Sequence, residues 1–124
     1  MIVRLPWPHP ALAPNRAKGM HWGSLVKLRK QAHDDAYMLT KAQPRRDYGE
    51  GNIAVSIVFA MPDKRGRDLD NLLSSCKNAL DGVAAALGVD DKRFRPILID
   101  AVPGAGVGAV IVAVGVKINE VRDL

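Results

Sequence analysis

One cysteine, Cys76, is all that the 124-residue chain contains. With no internal partner for a disulfide, a reducing compartment is expected. Met1 to Pro10 lacks the charged-then-apolar pattern of a secretory signal. The longest apolar run, near Ala109 to Val116, falls far short of the about 20 residues that a membrane-spanning helix needs. Repeats, low-complexity tracts and convincing internal linkers are also missing. The first 33 residues contain no acid but six bases: Arg4, Arg16, Lys18, Lys27, Arg29 and Lys30. These absences argue against a disulfide-stapled scaffold and a helical membrane protein. What is left is one domain, 1–124, long enough to bury roughly two thirds of its unfolded surface.

What is present starts with charge. The net charge is +5 and the pI about 9.7. A segment of one sign is an electrostatic footprint for phosphate. A merely solvated basic end has the same composition, so charge alone leaves both readings open.

Met1 to Leu5 reads as a strand, stopped by Pro6, Pro8, Pro10 and Pro14. Residues 6–23 then form a long, ordered loop, a length that usually signals function or disorder. Ser24 is the expected N-cap of a helix to about Gln43, with apolar residues Leu25, Leu28, Ala32, Ala36 and Leu39 on one stripe. Asn52 to Met61 alternates, with Ile53, Val55, Ile57 and Phe59 on the core face. Leu69, Leu72, Leu73, Cys76, Leu80, Val83, Ala84 and Leu87 fall at the spacing of one continuous helix, which Gly88 ends. Pro96 to Val102 and Ala109 to Ile118 read as strands joined by a hairpin-type connection, PGAGVG. The expected class is α/β (α+β): a mixed sheet of about four strands packed with two main helices.

Chemistry concentrates at Met61 to Asn71, MPDKRGRDLDN. Lys64, Arg65 and Arg67 lead into Asp68 and Asp70, and a second acidic pair, Asp90 and Asp91, follows the helix beside Lys92, Arg93 and Arg95. Aspartates at a helix start also serve as caps, which accounts for one of them well and two adequately. Capping does not account for the bases before them or for the acids after the helix. In the alternative, Asp68 and Asp70 share a pocket and Asp91 arrives beside them. Three close carboxylates need a cation, or one must take up a proton. Hard oxygen ligands without a His or Cys pair suit Mg²⁺, with Mn²⁺ as the second choice.

At these residues the chain resembles the RusA-type Holliday junction resolvases. The shared pattern is the LPWP start, Pro14-Asn15-Arg16 with His21-Trp22, a strand ending MPD, basic residues, DLDN, an amphipathic helix and Gly88-Val89-Asp90-Asp91. The resemblance implies a homodimeric, cytoplasmic, nucleoid-associated endonuclease that nicks four-way DNA junctions in recombination and repair. It assigns catalysis and metal binding to Asp68, Asp70 and Asp91. The lysine common in the family four residues past DLDN's second acid is Ser74 here, and the nearest substitute on the helix is Lys77. Positions 70, 74, 77 and 81 share its polar face. The expected DNA contacts are Arg16, Lys18, Lys27, Lys30, Lys64, Arg65 and Arg67.

Ser74 also sustains a rival reading, a junction-binding protein that cleaves poorly or not at all. A third is a basic RNA- or protein-binding module whose acids are all caps. Trp7 and Trp22 are each either packing residues or platforms for unpaired bases. His9, His21 and His33 have no metal-ligand spacing, and Cys76 belongs to the apolar stripe.

Overall fold

The computed structural model describes residues 1–104 and 106–115. The alternating segment forms strand β2 (Ile53–Met61), second from one edge of a mixed four-stranded sheet. Strand β1 (Ile2–Pro6) pairs antiparallel with β4 (Ala109–Val114), β4 pairs antiparallel with β2, and β2 pairs parallel with β3 (Phe94–Pro103). The sheet order is β1-β4-β2-β3. Ile53, Val55, Ile57 and Phe59 are buried on the core face with Val3, Leu5, Val110, Val112 and Val114. Val58 and Ala113 form a smaller cluster on the opposite face. This is the α+β class expected from the sequence.

The connection between the last two strands differs from the expected hairpin. β3 and β4 are not neighbours; β2 lies between them. β3 ends beside Met61 and β4 begins beside Ala60, so both lie at the same end of β2. Gly104 sits against the Met61 carbonyl so closely that a Cβ would overlap it. The expected extension of the last strand to Ile118 lies outside the described residues.

Residues 6–23 contain a 3₁₀ turn (Pro10–Leu12) and a helical turn, α1 (Pro14–Ala17). Helix α2 (Trp22–Lys41) starts earlier than expected, with His21 rather than Ser24 at the N-cap position. On α2, Leu25 and Ala36 are buried as expected, but the stripe ends on Thr40; Leu39 is 39% exposed. The step from 36 to 40 keeps the buried line on one face, whereas 39 rotates away from it.

The long second helix is two helices, α3 (Leu69–Ser75) and α4 (Lys77–Leu87), meeting at Cys76. The hydroxyls of Ser74 and Ser75 donate back to the carbonyls of Asp70 (3.0 Å) and Asn71 (2.9 Å). Such back-bonds compete with the helical ladder and bend it. Cys76 takes φ −97° and ψ 2°, and the ladder resumes with Leu80 N–H donating to the Cys76 carbonyl. Gly88 ends α4 at φ +70°, as its position implied.

Helices α2 and α4 meet closely at Gly82, where a Cβ would overlap the His33 carbonyl. Gly82→Ala should lower stability by about 1–3 kcal/mol in denaturant unfolding, despite the better helix propensity of alanine. Burial pushes the Cys76 thiol up to about 12. It should stay unreactive toward thiol reagents at pH 8 until the protein unfolds.

Candidate nucleic-acid and metal site

Two hollows flank helix α3. Asp68 occupies the N-cap position at its start with extended backbone (φ −79°, ψ 134°). An aspartate there usually accepts a hydrogen bond from the first turn. Asp68 makes no such side-chain bond. It is exposed and lines a cleft of about 340 Å³ with Trp7, His9, Arg16, Arg65 and Arg67. Asp70 is exposed in the first turn but does not line this cleft, so the two aspartates do not share it, contrary to the expectation from the sequence.

The bases around this cleft differ in availability. Arg67 binds Asp63 through both nitrogens, Nη1 to Oδ1 at 2.8 Å and Nη2 to Oδ2 at 3.0 Å. Its guanidinium also lies 5.4 Å from the centre of the Trp7 ring. Trp7 meets Phe59 edge-on at 6.2 Å and lies over Gly108, where a Cβ would collide with the indole. Trp7 is thus a packing residue, and Arg67 is committed to holding it and Asp63. Lys30 pairs with Asp34 at 2.5 Å. Arg16, Lys18, Lys27, Lys64 and Arg65 are exposed, with Arg65 3.7 Å from Asp63.

The second hollow, a groove of about 270 Å³, contains Leu73, Ser74, Lys77, Asp81, Asp91 and Ile97 among its lining residues. Asp91 opens the 3₁₀ turn Asp91–Arg93, which Asp90 caps by accepting from the Lys92 N–H at 2.9 Å. That bond is the main cause holding the Asp90 carboxyl below its usual range. Asp81 is pushed the other way, first by burial and then by its hydrogen bond and like charge with Asp91, against the opposing charges of Lys77 and His33. Asp81 was not singled out from the sequence, although it ends the polar row 70, 74, 77, 81. Arg93, flanking the acidic pair, is a structural residue. Its Nε donates to the Gly51 carbonyl at 2.8 Å and its Nη2 to that of Gly49.

The structure thus gathers Asp68 with Arg16, Arg65 and Arg67, and Asp91 with Lys77 and Asp81. It does not bring Asp91 beside Asp68 and Asp70 within one chain. Among the described residues, no three His, Cys, Asp or Glu side chains form a group able to hold a metal. The cause is topological. β2 and β3 are parallel, so α3 and α4 must return the chain from one end of the sheet to the other. Asp70 lies in the first turn of α3, whereas Asp81 lies in α4, beyond the break at Cys76.

No family model matches the sequence. A protein of Xylella fastidiosa (strain Temecula1 / ATCC 700964), described as an uncharacterized protein, is 36% identical over 109 residues, covering 84% of this chain and 70% of that protein. The chain belongs to the family of that protein. The name of that relative states no activity. No described helix is long and apolar enough to cross a membrane.

Beside the cleft, the Arg67 guanidinium and the Arg65 backbone N–H hold the Asp63 carboxyl down to about 2, from an ordinary 3.8. A depressed carboxylate contributes stability above its ordinary value and loses it as pH falls through the folded one. The Asp63 carboxyl should therefore titrate near pH 2 by carbon NMR in the intact protein. In Arg67→Ala its midpoint should move up toward the ordinary value.

Proposed function

We propose that this chain is a Mg²⁺-dependent, structure-specific DNA endonuclease of the RusA type, making paired nicks in four-way junctions during recombination and repair. The observation that carries the reading is Asp68: an N-cap aspartate that does not cap, facing an arginine-lined cleft. The DLDN resemblance, the acid-free basic N-terminal segment and the exposed Arg16 and Arg65 support the same reading.

The donor chemistry fits a hard divalent cation. Mg²⁺ is commonly held by one or two carboxylates together with substrate phosphate; Asp68, with Asp70 two residues on, would supply them. Bound there, the ion would polarise the scissile phosphate and make water a better nucleophile at neutral pH. Arg16 and Arg65, with Lys18, Lys27 and Lys64 farther out, would neutralise phosphates and position the strand. Lys77 lines the groove that holds Asp91, so it would arrive together with Asp91 and donate a proton to the leaving 3′ oxygen.

Asp91 joins this chemistry through a homodimer. A two-fold pair suits a two-fold junction, and it allows the Asp91 of one copy to serve the Asp68 and Asp70 of the other. The working compartment would be the cytoplasm, at the nucleoid.

The test is cleavage of a strand-labelled four-way junction beside linear duplex of equal length. Paired nicks confined to the junction and dependent on Mg²⁺ or Mn²⁺ are expected. Asp70→Asn and Asp91→Asn should each lower cutting by about a hundredfold or more while junction binding persists. Mixing the two inactive variants should restore part of the activity, because heterodimers would then hold one intact shared site. Lys77→Ala should slow cutting by about a hundredfold.

One observation favours a second reading. Ser74 replaces the expected lysine, and its hydroxyl is engaged by the Asp70 carbonyl. Tight junction binding without nicks in either metal would make this a junction-binding protein.

A further inference from the structure

Trp22 is the first residue of α2 and is 75% exposed. Folding gives no account of a large indole left in water, since burying it would be favourable. Its neighbour one turn on, Val26, is 39% exposed. The surrounding segment carries only positive charge, with Arg16, Lys18, Lys27 and Arg29 all exposed. This contrasts with Trp7, which is occupied by Phe59, Gly108 and Arg67.

The fold also fixes where Trp22 stands. Helix α2 runs in the same direction as α4. Leu28 and Ala32 share a cavity with Ser75 and Ala79, His33 meets Gly82, and Thr40 and Lys41 lie beside Ala85 to Gly88. Trp22 precedes Leu28 by about 9 Å of helical rise, and Arg16, six residues before Trp22, lines the cleft with Asp68. Trp22 therefore lies at the same end of the molecule as Asp68 and the arginine-lined cleft. An exposed flat π-surface in a positive field complements an unstacked nucleobase, which has a π-face and a phosphate beside it. A neutral or basic protein surface would find the apolar ring but gain nothing from its cationic setting.

We propose that Trp22 is a stacking platform for an unpaired nucleobase of the bound DNA, next to the strand held at Asp68. This deepens the endonuclease reading and rests on it for the choice of DNA, but it is tested separately. In the Trp7→Phe protein, Trp22 is the sole tryptophan. Its emission should be quenched by single-stranded DNA and by a four-way junction, and much less by an abasic strand of equal length. In the otherwise unchanged protein, 2-aminopurine placed at the junction centre should change its emission on binding, and Trp22→Ala should abolish that change. Trp22→Ala should also weaken junction and single-strand binding by about tenfold while leaving linear duplex binding unchanged, with Trp22→Phe restoring most of the affinity.

Equal quenching by abasic and normal strands would overturn the proposal. So would equal loss of duplex and junction binding in Trp22→Ala, or a 2-aminopurine response that survives the substitution. If the protein shows no junction preference but single strands still quench Trp22 through their bases, the resolvase reading fails and the stacking platform stands.

Discussion

The parallel pairing of β2 with β3 is the constraint on which the rest depends. Two adjacent strands running the same way cannot be joined by a turn. The chain must travel back along the sheet, and α3 with α4 is the return path. That path places Asp68 where β2 ends and Asp91 where β3 begins. It also lays the apolar side of α3 and α4 on Ile53, Val55, Ile57 and Phe59, closing the core. Core and site are consequences of one topological choice.

Electrostatics then divides the molecule into committed and uncommitted charge. Asp63 with Arg67, Lys30 with Asp34, Asp90 with the Lys92 N–H, and Arg93 with the Gly49 and Gly51 carbonyls all hold structure. Exposed ion pairs of this kind add little stability, but they fix geometry. Around Asp68 the balance differs. Its carboxylate makes no cap, and Arg16 and Arg65 stand exposed at the same cleft. Charge available for a ligand is concentrated at the end of the sheet where the proline-rich loop, α2 and α3 all begin.

Much of this was legible in the residues. The period-two face of β2, the apolar stripe from Leu69 to Leu87 and the Gly88 stop are local patterns, and local patterns survive into the structure. Leu39 was misplaced because a stripe read by spacing alone cannot tell 39 from 40. The break at Cys76 was missed although its cause, the pair Ser74 and Ser75, is in the sequence, because helical periodicity continues unchanged through it. The hairpin reading of PGAGVG failed for a different reason: turn chemistry specifies that a chain reverses, not which strand lies beside it.

The α+β class, the core faces, the basic N-terminal segment and the acids at the two ends of the second helical stretch can all be read from the residues alone. These follow from periodicity, composition and capping, which act over a few residues. Which acids and bases meet depends instead on how the elements pack. Sheet order and helix direction set Asp91 with Asp81 and Lys77, set Asp68 with Arg16 and Arg65, committed Trp7 to packing and left Trp22 in solvent. Such juxtapositions join residues far apart in the chain, and no local rule encodes them.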